Sequence, residues 1–413
     1  MVSATPVCDR LAVNVGDDDK KGKVPSEPPP SRSAPSMTRR TPTPPPMQRV
    51  MGRTPTPPPM QRVSMPPGPL GHDDLNVTRG ARNVIARCLC VQPGERVHIL
   101  TFRADSLYVL LARAVNEAEA IPVRIALEHI DTEGATLSEL MIRLAPAMAG
   151  ATASVLLAPE RPSAALSLAI AKVAERQRSR HLHLLEVDER LLAQSLRADP
   201  ELLAIVNARL GTALQPPCQM TITSDSGTEL EVRLALTHPI LSSSGRPTAG
   251  TSENLPAGLV YTHPARVSGT LVVDRAIFGP GVVLDRAALR RSPPRVRFTA
   301  GRITDYEASD PAVSQTIETY LASHSDAGRV GLLVFPTNYL ARSDVGLDRQ
   351  DMLLPGVSVS LGFASADTTH ASYEAPVQMV LLGRRQTLEH SGRKLIDAGR
   401  LHDSLVEGID PFR

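Results

Sequence analysis

The sequence predicts an α/β protein: a doubly wound N-terminal α/β domain and a β-rich α+β C-terminal domain, preceded by a disordered proline-rich tail. Three observations support this fold class. Of the 37 prolines in the 413 residues, 17 lie within residues 1–70. Residues 74–215 then alternate between helical and strand-like apolar patterns, whereas residues 216–413 mostly alternate apolar and polar side chains, as half-buried strands do. The predicted divisions are therefore 1–73, 74–215 and 216–413.

The tail is rich in proline, serine, threonine and arginine and has few side chains that could form a core, which favours disorder. Within it the segment RTPTPPPMQRV occurs twice, at 40–50 and 53–63, and its triple prolines favour a polyproline conformation. The repeat is most simply interpreted as a duplicated linker without a function of its own. The alternatives are bivalent docking to a partner and phosphorylation of Thr41, Thr43, Thr54 or Thr56.

The α/β half opens with a helix, because its apolar side chains recur at helical spacing: Val77, Val84, Ile85, Cys88 and Leu89. A Pro-Gly turn leads to an apolar strand over 97–100, a helix begins after Asp105, and a strand follows over 121–127. This β-α-β order implies a right-handed parallel crossover. Further helices are predicted at 137–149 and 164–176, and further strands at 152–158 and 181–187. The loop TFRADS after the first strand contains no glycine, so no phosphate-binding loop is expected there.

The β-rich half begins at a predicted hinge, Gln-Pro-Pro-Cys at 215–218. Beyond it we expect strands separated by turn signals, together with a helix near 310–323. The predicted strands lie within 219–236, 258–264, 268–277, 295–308, 329–336 and 357–364.

Charge is divided unevenly along the chain. Residues 1–70 hold 10 Lys and Arg against 5 Asp and Glu, which leaves 35 against 38 for the remaining residues. A near-neutral body lacks the basic face that sequence-independent binding of nucleic acid needs, so nucleic acid is not an expected partner. No run of 18 apolar residues predicts a membrane span, and the N-terminus lacks the pattern of a secretory signal.

The four cysteines are too few for a disulfide framework in a chain of this length. Cys88 and Cys90 are separated by one residue and no second pair follows, so we expect buried or idle thiols rather than metal ligands. A reducing, cytoplasmic location is the simplest setting for such a chain.

Five short motifs occur in an order that resembles one group of enzymes. They are Gly80-Ala81-Arg82 with VQPGERV at 91–97, SGTEL at 226–230, ENLPAGLVYTHP at 253–264, FPTN at 335–338 and SVSLG at 358–362. In this order they resemble the M29 metallo-aminopeptidases and the iron-dependent 2,5-dihydroxypyridine dioxygenases, which share a scaffold. The resemblance covers about residues 74–400.

The resemblance implies a site in which carboxylates and histidines hold metal, and this chain departs from it. Leu259 and Leu332 stand where the family has glutamates, and Ser358 stands where it has a histidine. The family's HxD pair has no counterpart between Gly362 and Leu382. We therefore expect no catalytic residue, no metal and no other cofactor.

A rebuilt metal site would need new ligands. The nearest residue pairs are His263 with Asp274, His370 with Glu374, and Glu389 with His390. Polar residues of the surface or of turns are the simpler interpretation of all three pairs. No Ser-His-Asp or Cys-His signature is visible either.

The sequence hypothesis is a non-catalytic peptide-binding protein, a pseudoenzyme that presents a precursor peptide to modifying enzymes in ribosomal-peptide (RiPP) natural-product biosynthesis. Metal-less members of the scaffold are used in this way, and the peptide-binding proteins of the crocagin pathway are the ones this chain resembles. The candidate peptide-binding residues are Asn254, Leu259, Tyr261, Leu332, Asn338, Arg342 and Ser358. Arg342 is a candidate partner for a carboxylate of the peptide.

The expected partners are the peptide, the modifying enzymes of the pathway and a second subunit in a homo- or heterodimer, with no membrane and no nucleic acid. Two alternatives remain open. One is an active metal-dependent aminopeptidase or ring-cleaving dioxygenase with a rearranged metal site. The other is the inactive subunit of a heterodimer.

Overall fold

A computed structural model describes residues 72–160 and 162–410. The predictions for the tail up to residue 71, for both copies of the repeat and for Cys8 lie outside the described residues.

The described residues form the following strands and helices, each set given in chain order. The strands are β1 (Arg96–Thr101), β2 (Ile121–Ala126), β3 (Ala153–Ala158), β4 (Arg180–Leu185), β5 (Cys218–Thr223), β6 (Glu229–Leu234), β7 (Leu241–Ser243), β8 (Ser252–Leu255), β9 (Leu259–Thr262), β10 (Arg266–Val272), β11 (Ala276–Phe278), β12 (Arg295–Thr299), β13 (Arg302–Glu307), β14 (Val330–Pro336), β15 (Ser358–Gly362), β16 (Gln378–Leu382), β17 (Thr387–His390), β18 (Arg393–Asp397) and β19 (Arg400–Leu401). The α-helices are His72–Arg82, Ser106–Glu117, Leu137–Met148, Ala164–Arg176, Glu189–Ala193, Pro200–Ala213, Arg286–Arg291, Pro311–Ala322, Asp348–Asp351, Ala366–Thr369 and Asp403–Val406.

The first sheet, sheet A, is parallel and has the strand order β2-β1-β3-β4-β8. Apolar clusters cover both of its faces, since Val97 and Ile99 of β1 belong to one cluster and Leu100 belongs to another. Burial on both faces is what a parallel sheet with helical crossovers requires. The predicted α/β architecture with alternating helices and strands is confirmed.

The crossover helices begin where the sequence provides capping side chains. The Asp105 carboxylate accepts a hydrogen bond from the Tyr108 N–H at 3.1 Å, at the start of the helix Ser106–Glu117. Thr136 and Glu139 form a capping box at the start of the helix Leu137–Met148. Each side chain satisfies backbone N–H groups that a helix N-terminus leaves without partners.

One strand of sheet A comes from beyond the predicted boundary at 215/216. Strand β8 pairs in parallel with β4, with Ser252 opposite His181 and Leu255 opposite Leu184. Its sequence, SENL, is too short and too polar to be recognised as a buried strand, so the sequence did not predict it. The boundary itself stays a prediction.

Sheets B and C build the β-rich half. Sheet B has the order β13-β12-β10-β6-β5-β17-β18-β19, and sheet C has the order β11-β16-β15-β14-β9-β7. One apolar cluster contains side chains of both sheets, including Ile222 and Val232 of sheet B and Leu333 and Phe335 of sheet C. The two sheets therefore pack face to face. Sheet B therefore covers only one face of sheet C, and the side chains on the other face belong to a different apolar cluster.

None of the helices among residues 72–160 and 162–410 is both long and apolar enough to cross a bilayer. The thiols of Cys88, Cys90 and Cys218 are free, and Cys88 and Cys218 are buried. Cys90 is partly exposed and its sulfur lies 3.1 Å from the Arg246 Nε, and the assignment of idle thiols stays a prediction.

Candidate functional site

The positions at which the resemblance places metal ligands lie together on the outer face of sheet C. Strand β14 is hydrogen-bonded to β9 on one side and to β15 on the other. Leu259 lies opposite Pro336, Leu332 lies opposite Ser360, and Val334 lies opposite both Tyr261 and Ser358. Because directly opposed residues point to the same side of a sheet, these side chains share one face.

That face is covered by hydrocarbon. Leu259, Tyr261 and Leu332 belong to an apolar cluster that also contains Val334, Ala341, Met352, Leu353, Leu354, Phe363, Val380 and Leu382. Leu259 and Ser358 are 2% exposed, and Leu332 is fully buried. We call residues 344–354, which supply Met352, Leu353 and Leu354 to this cluster, the cover segment. The cover segment occupies the side of the sheet on which a metal site would lie.

Ion pairs hold the cover segment in place. Arg286 pairs with Asp348 and with the fully buried Asp351. Burial lowers the pKa of the Arg286 guanidinium, but its two carboxylate partners outweigh this effect and raise the pKa above its ordinary value. The Asp351 carboxylate also accepts hydrogen bonds from the N–H groups of Val345 and Gly346, at 2.8 and 3.1 Å. The cover segment is therefore held both by ion pairs with Arg286 and by hydrogen bonds from its own backbone to Asp351.

The residues on this face do not fit a metal ion. Two leucines and a serine occupy the three positions, and leucine has no atom that can coordinate a cation. Within residues 72–160 and 162–410, no group of three or more His, Cys, Asp or Glu side chains is arranged to hold a metal. An ion placed among these side chains would lose its hydration without gaining ligands.

The alternative ligand pairs are engaged in backbone contacts. The His263 ring Nδ1 lies 2.7 Å from the Gly331 carbonyl oxygen, and Glu374 accepts from the N–H groups of Ala364 and Ala366. Burial lowers the pKa of His263 to about 4, with the Gly331 contact acting against it. A histidine with this pKa is neutral at pH 7.

Two further members of those pairs, Asp274 and His390, also contact backbone groups. Asp274 accepts a hydrogen bond from the Arg384 N–H at 2.7 Å. The His390 Nδ1 lies 2.7 Å from the Gln219 carbonyl oxygen, which joins β17 to β5. The contacts of Asp274 and His390 agree with the interpretation of these two residues as polar groups of turns and edges, whereas His263 is buried and is not a surface residue.

A cavity of about 1200 Å³ lies beside the covered face and shares Ala341 and Leu354 with its apolar cluster. Its lining contains two aspartates, Asp344 and Asp397, and a larger set of arginines from separate parts of the C-terminal half. The arginines are Arg275, Arg290, Arg342, Arg384, Arg385 and Arg400. The formal excess is four positive charges, which makes the cavity a candidate site for an anion.

The cavity arginines differ in how they are paired. Arg384 lies 2.8 Å from the Asp344 carboxylate, and Arg275 lies 3.5 Å from the same group. Arg275 is only 9% exposed, and burial lowers its pKa although Asp344 acts in the opposite direction. The other four, at positions 290, 342, 385 and 400, form no ion pair with any residue in 72–160 or 162–410.

The structure separates the seven candidate peptide-binding residues into three places. Asn338 and Arg342 line the cavity. Leu259, Tyr261, Leu332 and Ser358 lie on the covered face of sheet C. Asn254 is buried in β8, opposite His183 of β4. Of the seven, only Arg342 is both exposed and at the cavity, and the assignment of all seven stays a prediction.

Asn338 is a structural clamp at the cavity wall. Its side-chain amide donates to the carbonyl oxygens of Ser195 and Ala257, at 3.2 and 2.7 Å. Its side-chain oxygen accepts from the N–H groups of Leu340 and Ala341. The side chain is fully buried and its hydrogen-bonding capacity is used within the protein, so its role is to shape the wall.

Among the cavity arginines, only Arg342 is a residue that the sequence predicted for the site. Arg384-Arg385 and Arg290-Arg291 are visible as basic pairs, and such a pair is a weak signal by itself. The cavity assembles from segments between residues 275 and 409, and convergence over that distance has no signature in a single sequence.

Comparison with known proteins places the chain in a family. The family model NicX, 2,5-dihydroxypyridine 5,6-dioxygenase, matches residues 77–330. No curated protein matches the chain.

Two solved structures share the fold. The 2,5-dihydroxypyridine dioxygenase of Pseudomonas putida KT2440 has 14% sequence identity and a TM-score of 0.58, and the match covers 84% of this chain and 100% of that one. Wild-type AmpT from Thermus thermophilus has 15% identity and a TM-score of 0.56, with 79% and 99% covered. The relation to the M29 aminopeptidases and 2,5-dihydroxypyridine dioxygenases that the five motifs predict is confirmed at the level of scaffold.

Proposed function

The chain belongs to the 2,5-dihydroxypyridine 5,6-dioxygenase family, and we propose that within this family it is a non-catalytic peptide-binding protein. In this proposal it holds a precursor peptide for modifying enzymes of ribosomal-peptide natural-product biosynthesis. It acts without a metal, in the cytoplasm, as part of a homo- or heterodimer.

The observation that carries the proposal is the packing around Leu259, Leu332 and Ser358. Where the family's chemistry needs carboxylate and imidazole ligands, this chain has two leucines in a close-packed cluster and a buried serine. Metal-assisted activation of water or dioxygen needs a fixed first shell and an open coordination position. The cover segment, which packs Met352, Leu353 and Leu354 against this face, supplies neither.

A peptide is the ligand favoured by the cavity. Its walls combine apolar side chains such as Leu354, Leu401 and Ile409 with arginine guanidinium groups, so both the side chains and the charged groups of a peptide have partners. The volume of about 1200 Å³ exceeds the roughly 300–1,000 Å³ of pockets that hold drug-sized molecules. A peptide of several residues is a ligand of that size.

Membership of an enzyme family leaves an alternative function, that of an active dioxygenase or aminopeptidase whose site differs from that of its relatives. It predicts about one equivalent of tightly bound metal per chain and turnover of a substrate. The proposal predicts neither. A further alternative is that the chain is the inactive subunit of a heterodimer. In that case a homologue should co-purify with it, and its affinity for free peptide should be weak.

The test uses the full-length, untagged protein. Its metal content is measured by elemental analysis beside that of the Pseudomonas putida 2,5-dihydroxypyridine dioxygenase as the reference enzyme. Binding of fluorescein-labelled octapeptides of acidic, neutral and basic composition is measured by anisotropy with and without EDTA, and the peptides are recovered for mass spectrometry. We expect metal far below one equivalent, saturable binding of at least one peptide class that EDTA leaves unchanged, and intact peptide after incubation.

Stoichiometric metal, shortened peptides or ring cleavage of 2,5-dihydroxypyridine would each overturn the proposal. Absence of binding by every peptide class would also overturn it. A homologue that co-purifies from the native host while the peptides fail to bind would favour the heterodimer.

A further inference from the structure

We infer that the cavity takes an acidic peptide segment whose carboxylates lie beside apolar side chains. The inference rests on the proposed function, because it names the class of peptide that the scaffold would hold.

The charge of the cavity wall is the first argument. Arg290, Arg342, Arg385 and Arg400 are exposed at the cavity and form no ion pair with the described part of the chain. Four like charges around one concavity repel each other, and concave walls of low dielectric strengthen their field. A guanidinium group presents a planar fork of donors that matches a carboxylate with two parallel hydrogen bonds. An anionic ligand therefore relieves the repulsion and gains directional contacts.

The buried Arg275 is the second argument. Its guanidinium shares the single Asp344 carboxylate with Arg384, and its own distance to that group, Nε to Oδ1, is 3.5 Å. Its Nη1 reaches the carbonyl oxygens of Asp351 and Leu354 only at 3.5 and 3.4 Å. The buried Nε–H donates no hydrogen bond within residues 72–160 and 162–410. Asp351 and Asp274 act on the charge of Arg275 from farther away, so a carboxylate supplied at the cavity wall would give this guanidinium a closer partner.

The apolar part of the lining is the third argument. Leu354, Leu401, Val406 and Ile409 contribute to the same cavity as the arginines. An inorganic anion would leave this surface in contact with water, whereas apolar side chains that flank a carboxylate would bury it. An acidic peptide with interspersed apolar residues satisfies both kinds of surface.

Two other occupants fit less well. Single-stranded nucleic acid binds largely by stacking its bases on aromatic side chains. Among the described residues of the lining, Tyr339 is the only aromatic one, and its hydroxyl already accepts a hydrogen bond from the Asp199 N–H at 2.9 Å. Nucleic acid therefore fits this cavity less well than an acidic peptide. The chain's own residues 1–70 carry 10 basic against 5 acidic side chains, so they have the wrong sign for a cationic cavity.

The experiment compares two labelled octapeptides on the full-length protein by anisotropy at low ionic strength. One alternates leucine with glutamate and ends in a free carboxylate. Its twin has glutamine in place of glutamate and ends in an amide. We expect the acidic peptide to bind at least about tenfold more tightly than its twin, since a charge-assisted contact contributes more than a neutral one. This difference should shrink as salt is added.

The Arg342→Gln/Arg400→Gln double variant removes two unpaired cavity charges. It should weaken binding of the acidic peptide by at least about tenfold and leave the affinity of the twin within about twofold. The matched control, Arg176→Gln/Arg393→Gln, makes the same change in net charge at exposed positions outside the cavity, and should bind the acidic peptide as the wild type does.

Equal affinity of the wild type for the two peptides, or equal loss in the two double variants, would overturn the inference while leaving the proposed function in place. Tighter binding of a labelled oligodeoxythymidine than of the acidic peptide would overturn it in favour of nucleic acid. Displacement of the acidic peptide by inorganic phosphate at equal concentration would overturn it in favour of a free anion. Failure of both peptides, with the neutral and basic peptides failing as well, would instead remove the proposed function.

Discussion

Single residues give these family motifs a structural role that does not depend on metal ligands. Asn338 of the FPTN motif closes four hydrogen bonds to backbone groups, and Glu95 of VQPGERV accepts from Thr152 and pairs with Arg180 at 2.6 Å. Both side chains join segments that are distant in the sequence. They are needed for the architecture whether or not chemistry takes place, so the motifs identify the fold and carry no information about activity.

Buried histidines give the protein a dependence on pH that can be assigned to single residues. His98 is 2% exposed, and neither ring nitrogen forms a hydrogen bond among the described residues. Burial lowers its pKa to about 4, with the charge of Arg96 acting in the same direction. His181 and His263 are buried too, and their pKa values are also lowered.

We predict that the free energy of unfolding falls as the pH falls from about 6.5 to about 4. In this window the unfolded state binds protons that the folded His98 rejects, so each such histidine contributes a slope of up to about 1.4 kcal/mol per pH unit. Urea denaturation at intervals across this window measures the slope. The His98→Leu variant should be flatter than the wild type by up to that amount, and identical slopes would contradict the assignment.

At the scale of elements, the glycine of the Gly80-Ala81-Arg82 motif allows two helices to pack closely. Gly80 lies in the helix His72–Arg82, and a Cβ atom at this position would lie 2.0 Å from the Leu192 carbonyl oxygen of the helix Glu189–Ala193. The two helices meet backbone to backbone. The motif is visible in the sequence, but its reason is not, since the contact joins residues more than a hundred positions apart.

Gly80→Ala should therefore lower the free energy of unfolding by about 1–3 kcal/mol, the usual effect of overpacking a close contact. The control is Gly211→Ala in the helix Pro200–Ala213, where the new methyl group would meet the Ile240 Cγ2 at an ordinary 3.7 Å. This change should stabilise the protein by about 0.5–1 kcal/mol, because alanine favours a helix interior. Guanidinium denaturation of both variants measures the two effects, and equal effects would contradict the close helix contact.

The cover segment and β14 give a second prediction at this scale. Leu332→Glu restores a family-like carboxylate in the apolar cluster, and we expect it to lower the free energy of unfolding by about 3 kcal/mol or more without recruiting metal. Leu332→Met, which conserves volume, should cost less than about 1.5 kcal/mol. Denaturation and elemental analysis are the measurements. A glutamate variant of undiminished stability that binds one equivalent of metal would mean that the face is still a metal site.

For the whole molecule, the sequence predicted best what local patterns determine. The β-α-β unit from Arg96 to Ala126 was predicted because residues 97–100 are largely apolar and the helix that follows Asp105 is rich in alanine and leucine. The edge strand β8 was missed because SENL carries no such pattern. The cavity was missed because its arginines come from several loops and strands, and only folding brings them together.

For the covered face of sheet C, the sequence identified the positions of interest but did not indicate which residues pack against them. The leucines at 259 and 332 were enough to predict the loss of ligands. The apolar run Met352-Leu353-Leu354 was visible in the sequence, but nothing local indicates that it lies over β14. Tertiary packing decides which apolar run covers which face.

The pairing of β8 with β4 has a consequence for how this chain can be divided. An α/β fragment that stops at residue 215 would lack β8 and would expose the backbone donors and acceptors of β4 along Arg180–Leu185. An uncovered inner strand of a parallel sheet is a template for association with other chains. Insertion of a reporter is therefore better placed at an exposed turn such as the one around Gly134 than at the predicted hinge before β5, because sheet A needs a strand from the β-rich half to be complete.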